Sequence, residues 1–194
     1  VQWMTAASGI LHKEFHEKEW SKKGGEFQMV QLWVNLPAKD KKGPPKYQNL
    51  SNQDIAKVSV ADGNGEVEVI AGEYNGHKGS ASTFSPLHLY NVRLKKGVKS
   101  DFSFPADYTT AMLMIEGSAK VNDADSVPQD NFVMFNKEGE TFTVEALEDV
   151  TILVLSGQPL KEPIVSYGPF VMNTQAEIKE AIEDYNMGKF GFLE

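Results

Sequence analysis

From about Val58 onward the chain reads as short apolar strands cut at regular intervals by turns, and up to Leu155 no helical period competes with that pattern. Strand signals recur over residues 66–71, 87–94, 109–116, 132–135, 141–144 and 150–155. Turn chemistry separates them: Asp62-Gly63-Asn64-Gly65, Lys96-Gly97, Glu116-Gly117 and Glu138-Gly139. Many short strands with few helices predict an antiparallel sandwich or barrel. One helix stands out, over residues 174–187. Thr174-x-x-Glu177 is a capping box, in which each side chain satisfies an orphan backbone N–H of the first turn. Ile178, Ile182 and Tyr185 follow as one apolar stripe, and Gly188 supplies the stop.

The chain is long enough for a real core in one large domain or two modest ones: of 194 residues, 41% are hydrophobic, with 11 Phe, 6 Tyr and 3 Trp. Charge is unevenly spread. Residues 1–46 hold eight lysines against five acidic residues, whereas residues 47–194 hold 11 basic against 22 acidic, for a net −8 overall. An acidic major part repels phosphate backbones and argues against direct nucleic-acid binding. The absence of cysteine excludes disulfides, thiolate metal sites and cysteine nucleophiles. No apolar run reaches the roughly 18 residues of a membrane span, and no signal-peptide pattern is present. A soluble, cytoplasmic protein is the expectation.

Residues 1–36 read as β-structure: a first strand, a charged loop over 16–26 turning at Gly24-Gly25, and an apolar strand over 27–36 that ends at Pro37. Residues 37–54, with Gly43-Pro44-Pro45 and no period of either kind, look like a linker. The Lys39, Lys41, Lys42 and Lys46 cluster within it reads as a solvated loop.

The first strand carries the chemistry. Successive side chains of a strand alternate sides, so His12 and Glu14 share a face, and an imidazole beside a carboxylate suits a divalent transition metal. Alone, His12-x-Glu14 is a weak signal, because such pairs are commonly surface residues and a catalytic metal wants three or four protein groups. His16 continues the alternation and is either a third ligand or solvent-exposed among its charged neighbours. His77 and His88 read as structural or solvent-facing, and the later β-region is expected to be metal-free. No nucleophile elbow, phosphate-binding loop or dinucleotide fingerprint is present.

Three blocks together resemble the pirin family of the cupin superfamily. They are Val1-Gln2-Trp3-Met4-Thr5-Ala6 with Gly9-Ile10-Leu11-His12, Gln31-Leu32-Trp33-Val34-Asn35-Leu36, and Gly168-Pro169-Phe170-Val171-Met172-Asn173-Thr174. They run in the family's order from the first residue to the last helix. The resemblance implies an all-β bicupin, two jelly-roll (double-stranded β-helix) barrels with a short C-terminal α-helix. Residues 1–46 would close an N-terminal, metal-site cupin domain, 47–54 would link, 55–160 would form a C-terminal cupin domain, and 161–194 a tail packing on the barrels.

The family's N-terminal barrel holds one metal, usually iron, through three histidines and a glutamate. By position His12 and Glu14 match the third histidine and the glutamate, with copper, nickel, manganese or zinc as alternative metals. The remaining two ligands belong to a His-Pro-His-Arg-Gly segment that precedes the Val-Gln-Trp block in the family and has no counterpart here. The chain, opening at Val1, is therefore expected to be the back part of a longer protein, with metal absent from it or completed by a strand-swapped homodimer.

The resemblance implies quercetin 2,3-dioxygenase activity on a flavonol-like small molecule, with Glu14 both ligand and acceptor of the flavonol hydroxyl proton. Two alternatives stand: a non-enzymatic, iron-dependent co-regulator acting through protein partners, or an inactive shortened form.

Overall fold

The computed structural model describes residues 1–194 except Asp125 and Glu194. In chain order its elements are β1 (Gln2–Thr5), α1 (Lys18–Lys23), β2 (Lys46–Asn49), β3 (Ala56–Val60), β4 (Gly65–Ala71), β5 (Glu73–Tyr74), β6 (His77–Lys78) and β7 (Leu87–Leu94). There follow β8 (Lys99–Ser103), β9 (Thr109–Glu116), β10 (Ala119–Val121), β11 (Ser126–Val127), β12 (Phe132–Met134), β13 (Thr141–Ala146), β14 (Val150–Gly157), β15 (Val165–Tyr167), β16 (Phe170–Met172) and α2 (Gln175–Asn186). The chain divides into two compact units, Val1–Trp3 with Gln48–Leu160, and Met4–Tyr47 with Lys161–Glu194.

The first unit is an antiparallel double sheet. One sheet has six strands in the order β12-β9-β14-β7-β4-β3, the other four in the order β11-β10-β13-β8. From β7 to β10 the chain alternates between the sheets at every strand, and again from β11 to β14, which is the winding of a jelly roll. Register places whole rows of apolar residues inward. Val67 pairs with Val92, Val92 with Ile152, and Ile152 with Met114. Two residues on, Val69, Tyr90, Val154 and Met112 make a second row. All eight are at most 1% exposed. Phe102, Phe142, Val144, Ala119 and Val121 of the four-stranded sheet pack onto these rows in one core, with the Phe102 and Phe142 rings stacked at 5.3 Å between centroids. The alternation of β-branched and aromatic residues in β4, β7, β9 and β14 thus becomes one buried face.

The outer face of β3, β4 and β7 carries the intervening charges. Lys57, Glu68 and Asn91 stand opposite one another across the ladder. The Glu68 carboxylate, in a residue only 8% exposed, accepts a hydrogen bond from Asn91 Nδ2 at 2.6 Å. It also pairs with Lys57 Nζ at 3.2 Å and Arg93 Nη1 at 2.9 Å. Burial pushes this carboxyl up, but the bonds from Asn91, Lys57 and Arg93 together outweigh it and hold the group below the ordinary glutamate value.

The second unit is built differently. Its only paired strands entirely within it are the hairpin β15–β16 among the described residues, and α2 packs on that hairpin. The capping box stands as expected: Glu177 N–H donates to Thr174 Oγ1, and Thr174 N–H donates to the Glu177 carboxylate at 2.8 Å. Ile178 is buried, whereas Tyr185 at the end of the stripe is half exposed.

The expectation of β-structure over residues 1–36 fails after β1. Residues 27–36 form no strand, and no described strand pairs with them; Trp33 is 67% and Phe27 50% exposed. An apolar run becomes a strand only when a ladder partner satisfies its backbone, and sequence pattern cannot supply one. The loop read over 16–26 instead contains α1. Glu17 caps it, its carboxylate accepting from Glu19 N–H at 2.9 Å and Trp20 N–H at 2.6 Å, and Gly24 ends it. Six residues are too few to display a helical period. The stretch read as a linker carries β2, and Leu50 beyond it is buried. Strands β8, β10, β11, β15 and β16 gave no sequence signal of their own.

Truncating Ile152 to Ala should cost about 2–5 kcal/mol in urea unfolding, since a fully buried side chain would leave a cavity between the sheets. Glu68 makes a pH prediction. Its folded pKa is lowered, so its stabilisation is present above the ordinary glutamate pKa and is lost as pH falls through the depressed value. Glu68→Gln should therefore flatten the acid limb of the stability curve below about pH 4.5; an unchanged limb would show that Glu68 contributes nothing to it.

Candidate metal-binding site

The backbone leading to His12 is pinned within the second unit. Ser8 N–H donates to the Gly43 carbonyl at 3.0 Å and Leu11 N–H to the Phe190 carbonyl at 3.1 Å. Gly9 sits between them at φ +115°, and a Cβ there would lie 2.3 Å from the Phe190 ring. Both the left-handed backbone and the aromatic contact require glycine. Phe190 is itself placed by aromatic neighbours, Phe170 at 6.1 Å and Tyr185 at 6.2 Å.

Beyond this anchor His12 and Glu14 do not lie on a strand; the chain from Ala6 to Glu17 has no regular structure. The shared strand face expected for them is thus corrected. Their side chains nevertheless meet, with His12 Nε2 3.6 Å from Glu14 Oε1 and the side chains 45% and 55% exposed. So exposed a pair adds little to stability. As donors they fit a divalent transition metal in kind, and ligand bonds of about 2.0–2.2 Å from each would let one ion bridge a gap of this size. In number they fall short: no group of three or more His, Asp or Glu side chains suited to a metal exists among the described residues.

His16 is not brought to them as a third donor. It is an exposed residue whose ring packs against Trp20 at 5.1 Å and Phe27 at 4.6 Å, a small aromatic cluster around α1. His77 is exposed in β6. His88 is structural: its Nδ1 meets the Tyr90 hydroxyl at 2.8 Å, and that hydroxyl donates to the Glu73 carbonyl at 2.5 Å. The Glu73 N–H also points at His88 Nδ1, donating to it at 3.4 Å. Burial holds the His88 imidazole below the ordinary histidine value.

Of the lysine cluster, Lys39, Lys42 and Lys46 are exposed as a solvated loop requires, and Lys41 is the correction. Lys41 is 4% exposed, its ammonium donating to Asn35 Oδ1 at 2.7 Å and the Val171 carbonyl at 3.1 Å. Burial lowers its pKa against the pull of Glu162 and Glu177. Lys42 pairs with Glu180 at 2.6 Å. Nothing in the spacing of those lysines could show that partners more than 120 residues away would claim two of them.

The antiparallel double sheet, wound as a jelly roll, is that of a cupin-type protein. Comparison with known proteins agrees. The family model described as "Pirin C-terminal cupin domain" matches residues 89–191, and the model "Pirin" matches residues 1–34. A Pseudomonas aeruginosa protein provisionally named quercetin 2,3-dioxygenase is 47% identical over 190 residues, covering 98% of this chain and 66% of its own length. Rat pirin is 37% identical, covering 99% of this chain and 65% of its own. The crystal structure of a quercetin 2,3-dioxygenase from Acinetobacter baumannii superposes with a TM-score of 0.95 at 48% identity, over 100% of this chain and 67% of that one. The chain belongs to the pirin family of cupin proteins. It spans about two thirds of the length of the curated relatives it matches.

Replacing Gly9 by Ala should free the segment before His12, read as lost hydrogen-exchange protection at the Leu11 amide. Full protection in Gly9→Ala would show that the Phe190 contact does not anchor it.

Proposed function

We propose that this chain carries part of the metal site of a pirin-family oxygenase of the quercetin 2,3-dioxygenase type, with His12 and Glu14 as two of its ligands. The observation that carries the reading is the 3.6 Å approach of an imidazole nitrogen to a carboxylate oxygen at the end of a pinned segment. The identity of 47–48% to proteins bearing that activity in their names supports it. Iron is the metal proposed, while the same donors also take copper, nickel, manganese or zinc. When bound, the metal supplies Lewis-acid binding of an ionised flavonol and activation of dioxygen. The chain's own residues do the rest. His12 would offer its Nε2 lone pair to the ion, and the Glu14 carboxylate would bind beside it and accept the flavonol hydroxyl proton at a carboxylate oxygen. The half-exposed pair leaves a planar ligand free to approach from solvent.

A second reading is a binding module that uses the metal as a switch and recognises protein partners. Two observations favour it: the net charge of −8, which disfavours nucleic acid, and the exposed apolar side chains of Phe27, Met29, Leu32 and Trp33. Its signature would be partner affinity that follows metal oxidation state without flavonol consumption.

The test is oxygen uptake with quercetin in iron-loaded protein. His12→Ala and Glu14→Gln should each lower turnover by at least about a hundredfold, the scale at which a general base or a metal ligand is lost. Wild-type turnover in either variant would exclude this site.

A further inference from the structure

The double-sheet unit holds a concave site that the metal reading does not use. A cleft of about 160 Å³ opens beside the β5–β6 hairpin, between it and β8. Its floor is aromatic: Tyr90 is 1% and Phe102 2% exposed, and the half-buried Tyr74 stands over both. The Tyr74 ring lies 5.5 Å from Tyr90, nearly edge-on, and 5.9 Å from Phe102. Its rim carries the exposed carboxylates of Glu73 and Asp101. No Lys, Arg or His is among the described residues that line it.

The parts of this cleft are held in place. The Tyr90 hydroxyl donates to the Glu73 carbonyl and lies 2.8 Å from His88 Nδ1, which holds the ring in place. Asp101 accepts from Thr143 Oγ1 at 2.5 Å. Burial pushes the Tyr90 phenol well above its ordinary pKa, so it stays neutral. Lys78 stands directly across the hairpin from Glu73. Two exposed carboxylates, that of Asp101 held by Thr143, disfavour anions, and a rim this polar gains little from a purely apolar guest. Aromatic faces beneath carboxylates are the chemistry that recognises a desolvated ammonium group.

We propose that this cleft binds a small organic ammonium ion, its charge between Glu73 and Asp101 and its alkyl groups against Tyr74. Volume agrees: at about 30 Å³ per water, the space holds roughly five waters or one tetramethylammonium-sized ion.

The experiment is an NMR titration of the chain at low salt with tetramethylammonium, following the tyrosine ring resonances, alongside the neutral isostere 3,3-dimethyl-1-butanol. Saturable shifts at Tyr74 are expected with the cation and none with the alcohol. Glu73→Gln combined with Asp101→Asn should raise Kd by about tenfold or more, as should Tyr74→Leu, given the size of charge and cation–π contributions at exposed sites. Lys78→Gln should bind at least as tightly as wild type. His12→Ala should leave the titration unchanged, which separates this site from the proposed metal site. Shifts that never saturate, equal binding of the alcohol, or an unaltered Kd in the double variant would overturn the proposal.

Discussion

The structure depends on one contact above all, the face-to-face packing of the six-stranded sheet on the four-stranded one. Val67, Val92, Ile152 and Met114 form one inward row, and Val69, Tyr90, Val154 and Met112 the next, with Phe102 and Phe142 facing them. Burial of these side chains supplies the apolar driving force, and the ladders beneath them satisfy the backbone that burial would otherwise strand. Much else follows from that packing. The outward residues of the same strands, Lys57, Glu68, Asn91 and Arg93, are forced into one charge cluster by register. Tyr90 is fixed deeply enough to serve as a rigid floor for the cleft at β5 and β8.

The unit formed by residues 4–47 and 161–194 obeys another logic. Here single points hold long irregular chain: Gly9 under the Phe190 ring, and Lys41 on the Val171 carbonyl. Glu162 accepts the Ala38 amide at 2.7 Å, and Asn173 donates to the Pro163 carbonyl at 2.9 Å. The Lys41 and Glu162 contacts join residues more than 120 apart in sequence. His12 and Glu14 occur where one of these pinned stretches runs out, which brings their donor atoms together without burying them.

How far the sequence disclosed this is uneven, for physical reasons. Strands β7 and β9 were legible to the residue, because long buried strands write their face into a period of two. The helix α2 was legible from Thr174 and Glu177, since capping is a local interaction. The two- and three-residue strands β10, β11 and β15 were not, because pairing rather than composition defines them. The fate of residues 27–36 was misread for the same reason. His12 and Glu14 were singled out by residue type and resemblance; the spacing argument for them assumed a strand that does not form. Lys41 and the Tyr74 cleft were invisible, since both depend on partners brought by the fold.

If His12 and Glu14 are metal ligands, a paramagnetic ion should find them before any other side chain. Anaerobic titration of the chain with ferrous iron, followed residue by residue in NMR spectra, measures that directly and works even where only two ligands bind. His12 and Glu14 should broaden first, ahead of His16, His77 and His88. Uniform broadening, or broadening led by His16 or His77, would contradict it.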